Sequence, residues 1–196
     1  MAYLKLRFHR AFVVILLAFP SVSISADWTH ALNASEDWQE DRWVVSYIGE
    51  SFVIASVNGQ ITHGDRLRLR LQFGDCDNAS VITHVYTMKG NEEILDISEK
   101  DIAITVDGNR AVGTILEPYK FLMGHRFFLY LGYSDINSLK NYFSKLTSTT
   151  LELLDSDELK VTDYVDLNRN EWSLTGFNEA LVKAQATCRA GKRLEL

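Results

Sequence analysis

Three arginines, Arg66, Arg68 and Arg70, alternate with leucines in a short run of the chain. Alternate residues of a β-strand point to opposite faces, so this spacing predicts leucines on one face and three guanidinium groups on the other. Like charges in a row repel one another unless an anion meets them, and guanidinium groups bind carboxylates and phosphates through paired hydrogen bonds. The run therefore predicts an anion-docking face. The alternatives are a solvated polar face, or salt bridges from acidic loops such as the one with Glu92 and Glu93.

A turn motif predicts which residues face the arginines. Asn58-Gly59 is a strong two-residue hairpin signal, and it would join a strand over 44–57 to a return strand over 61–73. In that register Tyr47 lies on the arginine face as a stacking neighbour. We therefore expect the binding site to comprise the three arginines and Tyr47. A bulge near Gly64 would shift the register by one residue and exchange the partners.

The sequence contains no recognisable catalytic or metal-binding motif. Its histidines lie at no metal-ligand spacing, and no phosphate loop, dinucleotide fingerprint or nucleophile elbow is present. We therefore expect a non-catalytic protein that needs no metal or cofactor. The alternative is a small hydrolase whose site is assembled in space from His84, His125 and nearby acids.

The first 26 residues are typical of a secretory signal peptide. Lys5, Arg7 and Arg10 precede an apolar run over 11–19, and small residues then lead to Ala26. We expect cleavage near Ala26 and a periplasmic or secreted protein. The apolar run is too short to span a bilayer, and no longer one follows, so no transmembrane segment is expected.

Charge and cysteine content narrow the function classes further. The chain has 20 basic and 26 acidic residues, a net charge of −6, which makes nucleic acid an unsuitable partner. Cys76 and Cys188 form an even pair, which in an oxidising compartment predicts a disulfide. Two buried free thiols or a redox pair are the alternatives, although no Cys-x-x-Cys spacing is present.

The remaining pattern predicts a mainly β, β-rich α+β fold. Short strands continue to residue 167, with a helix after Ser134-Asp135 and a last helix from Thr175 that carries Cys188 on its buried stripe. We expect an antiparallel sandwich or half-barrel with two helices packed on it. The expected domains are a cleaved signal peptide over 1–26, an acidic arm over 27–42 and a single domain over 43–196.

The segment that runs from Trp172 through Gly176 and Leu181 to Cys188 resembles the end of the invasion-associated locus B family. These are small secreted bacterial proteins with a β-rich fold and no established catalytic activity. The resemblance implies a bacterial envelope protein that acts through contacts. The leading hypothesis is an exported binding or accessory protein, such as an inhibitor or immunity factor, that docks a protein or anionic envelope partner. The alternatives are the hydrolase and a structural envelope component that self-associates.

Overall fold

The computed structural model describes residues 36–40, 42–48, 51–62 and 64–191, with only the backbone of residues 36–40. The predicted signal peptide and the first part of the predicted arm lie outside these residues. The strands are β1 Glu36–Glu40, β2 Trp43–Ile48, β3 Phe52–Asn58, β4 Arg66–Gln72, β5 Asp75–Thr87, β6 Asp101–Val106, β7 Asn109–Phe121, β8 Gly124–Asp135, β9 Ser148–Leu153 and β10 Arg169–Ser173. The helices are α1 Ile136–Phe143 and α2 Phe177–Ala190, with short 3-10 helices at Glu92–Asp96 and Val161–Asp163.

The described strands form one antiparallel sheet in the order β1-β2-β3-β4-β5-β8-β7-β6-β9-β10. The loop between β3 and β4 reaches across to β10, where the amide of Gln60 donates to the carbonyl of Glu171 at 2.8 Å. Because β3 and β10 stand far apart in the strand order, this contact means that the sheet curls toward its own far edge. The expected β-rich fold with two helices is confirmed.

The core lies on the face of the sheet that carries both helices. Helix α2 packs mainly on β2 and β3, where Phe177 meets Trp43 edge-on with ring centroids 5.6 Å apart. Phe143 of α1 contacts the same ring of Phe177 at 5.1 Å. Trp43, Trp172 and Phe177 are almost completely buried, so large aromatic side chains join the two helices to the sheet.

The predicted disulfide is present between Cys76, at the start of β5, and Cys188 of α2, with Cα atoms 5.7 Å apart. Cys188 shares the buried stripe of α2 with Leu181 and Ala184, as its spacing predicts. The bond fastens the last described helix to the turn that follows β4. None of the helices described here is long and apolar enough to cross a membrane.

Three boundary predictions are wrong. The run over 44–57 is two strands, β2 and β3, which pair with each other through Ile48 and Phe52. Part of the predicted acidic arm is strand β1, which pairs with β2. The predicted strand over 159–167 contains a 3-10 helix instead, because the Asp155 carboxylate accepts from both the amide and the hydroxyl of Thr162, and this local pairing favours a turn.

Candidate functional site

Strand β4 lies inside the sheet, between β3 and β5, and its two faces differ completely. Leu67, Leu69 and Leu71 are buried in the core. The alternate residues, which are the three arginines, therefore lie on the face away from α2. The alternation that the sequence predicts is confirmed. Its position inside the sheet gives each arginine neighbours on two strands.

The register of the hairpin differs from the sequence prediction. Arg66 pairs with Asn58 rather than meeting it across a two-residue turn, because the connection runs from Gly59 to Asp65 and the amide of Gly59 donates to the carbonyl of Asp65. The residues of β3 that face Arg66, Arg68 and Arg70 are therefore Asn58, Ser56 and Ile54.

Tyr47 is not a neighbour of the arginines. It pairs with Val53 and, through it, with Leu71 on the core face, and its ring lies 6.3 Å from that of Phe73. The expected stacking of Tyr47 on the arginine row is wrong because the longer β3–β4 connection changes which residues share a face.

Arg68 is the central residue of the row and is only 4% exposed. Its Nη2 lies 3.5 Å from Nδ1 of His84, and its guanidinium carbon lies 5.8 Å from the ring centre of Phe128. Its Nε and Nη1 atoms have no hydrogen-bond partner in the described part of the chain. Burial, followed by the charges of Arg66 and Arg126, lowers the pKa of Arg68 to about 10, so the side chain keeps its charge at neutral pH.

His84 of β5 holds Arg68 from one side. A guanidinium only donates hydrogen bonds, so Nδ1 accepts and the ring proton is on Nε2, which lies 3.2 Å from the hydroxyl oxygen of Tyr119. The ring is stacked on Phe128 with centroids 4.6 Å apart. Burial and the neighbouring arginines lower the pKa of His84 to about 2. His84 is therefore neutral at physiological pH and adds no charge of its own.

A fourth arginine, Arg126 of β8, belongs to the same face. Its guanidinium carbon lies 3.5 Å from the ring centre of Phe121 and 5.4 Å from that of Tyr86, and its Nε is a buried atom without a hydrogen-bond partner among the described residues. Stacking on aromatic rings fixes a guanidinium while leaving its N–H groups at the edge available. We call Arg66, Arg68, Arg70 and Arg126 the arginine cluster.

Arg70 is fixed in a similar way. Its guanidinium carbon lies 4.7 Å from the ring centre of Phe52, and its Nη2 lies 3.5 Å from the hydroxyl oxygen of Ser80. Burial lowers the pKa of Arg70, while the charges of Tyr130 and Glu117 raise it. Arg70 is thus the member of the cluster that has a carboxylate, Glu117, within electrostatic reach.

The second carboxylate near the cluster is Asp65, which acts on Arg126. It accepts from the amide of Tyr86 at 2.7 Å and from Nδ2 of Asn170 at 3.0 Å. Burial raises the pKa of Asp65 to about 6, although the hydrogen bonds and the charge of Arg126 oppose this. Within the described residues, no carboxylate forms a salt bridge or hydrogen bond with Arg68.

The alternative of salt bridges from an acidic loop does not describe the described contacts of Arg68. Glu92 pairs instead with Lys120 at 2.6 Å, and both side chains are largely exposed. The alternative of a fully solvated row does not describe Arg68 either, since this side chain is buried.

The two histidines of the hydrolase alternative lie apart. His84 pairs with Phe128 and His125 with Thr87 across β5 and β8, and these positions differ by an odd number of residues, so the two side chains lie on opposite faces. His125 is buried with its Nδ1 3.1 Å from the carbonyl oxygen of Lys89. In the described ranges, no three His, Cys, Asp or Glu side chains form a group that could hold a metal ion.

Sequence reasoning missed Tyr119, Arg126 and Phe128. They come to the site because β8 pairs with β5, and β7 with β8. Residues 125–129 alternate polar and aromatic side chains around Arg126, which is a weak signal for a second functional strand. The pairing of β5 with β8 itself has no local signature, because the β6–β7 segment lies between them in the chain.

The arrangement offers fixed N–H donors and excess positive charge on a partly dehydrated face that has aromatic walls. These are the properties of a site that binds anionic groups, whereas a histidine with a pKa of about 2 is a weak base near neutral pH. The geometry of the arginine cluster thus favours binding. Comparisons of the chain with family models, with curated proteins and with solved structures found no match, so the resemblance to the invasion-associated locus B family stays a prediction.

Proposed function

We propose that this chain is an exported binding protein whose arginine cluster docks an anionic group of a protein or envelope partner. The observation that carries the proposal is Arg68, which is 4% exposed and has unpartnered Nε and Nη1 atoms among the described residues. Burying a charged group without full pairing costs several kcal/mol, about 3–5 kcal/mol when one partner of a buried pair is missing. An anion bound through those two atoms would offset this cost.

The surroundings of Arg68 support a carboxylate or phosphate as the bound group. Such groups accept two parallel hydrogen bonds from one guanidinium, and Nε and one Nη atom form such a pair of donors. Nη2 is directed to His84, so the remaining pair is the one that includes Nε. Arg66, which is exposed, and the aromatic-stacked Arg126 supply further positive charge at the same face.

Two features support the exported location. A disulfide between Cys76 and Cys188 is typical of proteins in oxidising compartments. The first 26 residues have the order of a secretory signal, as argued from the sequence.

Thermal unfolding in the presence of defined anions tests the proposal. Phosphate and N-acetylglutamate represent the two sources of the anionic group, a phosphorylated envelope component and an acidic protein side chain, and chloride at equal ionic strength is the reference. A ligand that binds only the folded state raises Tm. We expect one of the two anions to raise the Tm of the wild type.

Matched variants make the test specific. Arg68→Gln should lose the Tm increase, while Arg169→Gln, which changes an exposed arginine of β10, should keep it. An equal increase in both variants would show that the effect is nonspecific. Affinity capture from an envelope extract by the wild type, compared with a variant in which Arg66, Arg68 and Arg70 are all replaced by Glu, would then identify the partner. A partner retained equally by both would place docking elsewhere.

A further inference from the structure

A cavity of about 460 Å³ lies on the core side of the sheet, away from the arginine cluster. Its wall is mainly apolar and includes Leu67, Leu131, Leu139, Phe143, Leu151 and Trp172. Sites for small molecules in proteins are typically about 300–1,000 Å³, and a cavity of about 150 Å³ already holds benzene. This space is large enough for a medium-chain organic molecule.

Two polar atoms in the wall of the cavity have no partner in the described part of the chain. They are the hydroxyl oxygen of Thr83 and the indole Nε1 of Trp172, and the two residues are at most 2% exposed. The great majority of buried polar groups in proteins are hydrogen-bonded, and each unsatisfied group costs about 1–3 kcal/mol. The indole N–H only donates, and the Thr83 hydroxyl can donate as well. Both would be satisfied by one acceptor atom on a guest molecule.

The charge of the wall restricts that acceptor. A carboxylate deep in an apolar cavity needs a cation beside it, and the charged residue in the wall, Arg110, is exposed on β7. The deep acceptor is therefore an uncharged oxygen, such as that of an ester or ketone.

The mouth of the cavity is held open by a fixed aromatic residue. Tyr142 of α1 is 42% exposed, and its hydroxyl donates to Asp107 at 2.8 Å. The same carboxylate accepts from the amide of Thr150 at 2.7 Å and the hydroxyl of Thr149 at 3.0 Å. Asp107 thereby joins the β6–β7 turn, α1 and β9 around the opening.

From these observations we propose that the cavity binds a neutral medium-chain acyl compound, with the aliphatic chain against the apolar wall and the carbonyl oxygen at Thr83 and Trp172. This site is separate from the arginine cluster and does not depend on the function proposed for it.

Three probes of similar length test the proposal on the intact protein: methyl octanoate, decane and nonanoate. Titration is followed through the indole N–H resonance of Trp172, which is assigned by its loss in Trp172→Phe. We expect methyl octanoate to bind most tightly and to move this resonance downfield, as a new hydrogen bond does. Decane, which has no acceptor, should bind about tenfold more weakly, corresponding to one hydrogen bond.

Thr83→Val removes the hydroxyl and keeps the shape of the side chain, so it should weaken methyl octanoate several-fold and leave decane unchanged. Thr175→Val changes an exposed threonine outside the wall and should alter neither affinity. If no probe binds, the cavity is not a ligand site. If methyl octanoate and decane bind equally, or nonanoate binds tightest, the assignment of a neutral acceptor at Thr83 and Trp172 is overturned.

Discussion

The guanidinium of Arg68 donates to Nδ1 of His84, a neutral ring whose Nε2 lies against the hydroxyl of Tyr119. A charged group is thus held by an uncharged acceptor. A carboxylate in the place of His84 would have neutralised Arg68, and the charge would then have been unavailable to a ligand. The neutral ring fixes the direction of the guanidinium and leaves its charge uncompensated.

This relationship predicts that Arg68 reduces stability. Arg68→Met keeps much of the side-chain volume and removes the buried charge, so the free energy of unfolding should rise by about 1 kcal/mol or more, even though Nδ1 of His84 loses its donor. Urea denaturation measures the change. The same variant should lose the Tm increase produced by the anion. A lower stability for Arg68→Met would mean that the charge is already satisfied in the free protein, whereas Arg169→Met, at an exposed site, should change stability by less than about 0.5 kcal/mol.

The pH dependence of stability contains two opposing contributions. The pKa of Asp65 is about 6 in the folded protein against 3.8 ordinarily, so the folded state takes up the proton first and acidification below about pH 6 favours folding. The pKa of His84 is about 2 against 6.5 ordinarily, so the unfolded state takes up the proton and acidification over the same range disfavours folding. Each contribution approaches about 1.4 kcal/mol per pH unit.

We therefore expect the free energy of unfolding to change little between about pH 6 and about pH 5 in the wild type, because the two slopes oppose each other. Asp65→Asn should make stability fall on acidification, and His84→Gln should make it rise. Urea denaturation at several pH values checks this. The exposed carboxylates with lowered pKa, such as Asp135 and Asp155, act at lower pH and do not enter this range. Equal slopes in the two variants would contradict the assignment.

The disulfide should contribute strongly to stability. Cys76 and Cys188 are separated by 112 residues. In the loop-entropy model a closure of this length stabilises the folded state by about 4–5 kcal/mol. Urea denaturation of the oxidised and reduced protein should differ by that amount. A double Cys→Ala variant should match the reduced protein, and a variant as stable as the oxidised wild type would refute the prediction.

Gly59 is predicted to tolerate no side chain. A Cβ there would meet the side-chain amide of Asn170 and lie 2.5 Å from the carbonyl oxygen of Thr62. Gly59→Ala should therefore lower the free energy of unfolding by about 1–3 kcal/mol through overpacking. Gly90→Ala is the matched control, since nothing lies within 4 Å of its Cβ position, and it should change stability by less than about 0.5 kcal/mol. Similar losses in both variants would mean that the contact with Asn170 is not the cause.

Local patterns predicted the features that depend on neighbouring residues. The alternation around Arg68 placed the leucines in the core, and the helical spacing placed Cys188 on the buried stripe of α2. The side chain of Asp135 accepts from the amide of Ser138 at the start of α1, as the Ser134-Asp135 signal predicts. Each of these depends on periodicity or capping within one element.

The hairpin register could not be predicted locally. Asn58-Gly59 normally forms a two-residue turn, but here the side chain of Asn170 accepts from the amides of residues 61 and 62, which lie more than 100 positions earlier in the chain. This distant residue holds a wider loop open and changes the partners of the arginines. The composition of the site, with Tyr119 and Phe128 in place of Tyr47, follows from that contact and from the pairing of β5 with β8.

The strand order also has a kinetic consequence. Most ladders of the described sheet join strands that are consecutive in the chain, and the exceptions are β5 with β8 and β6 with β9. Contacts between consecutive strands form early, whereas contacts of large sequence separation require costly loop closure and slow folding. Until β8 docks, β5 is an unpaired edge of thirteen residues, long enough to recruit a strand from another molecule. The danger of aggregation is therefore concentrated in the interval between hairpin formation and the docking of β8 on β5.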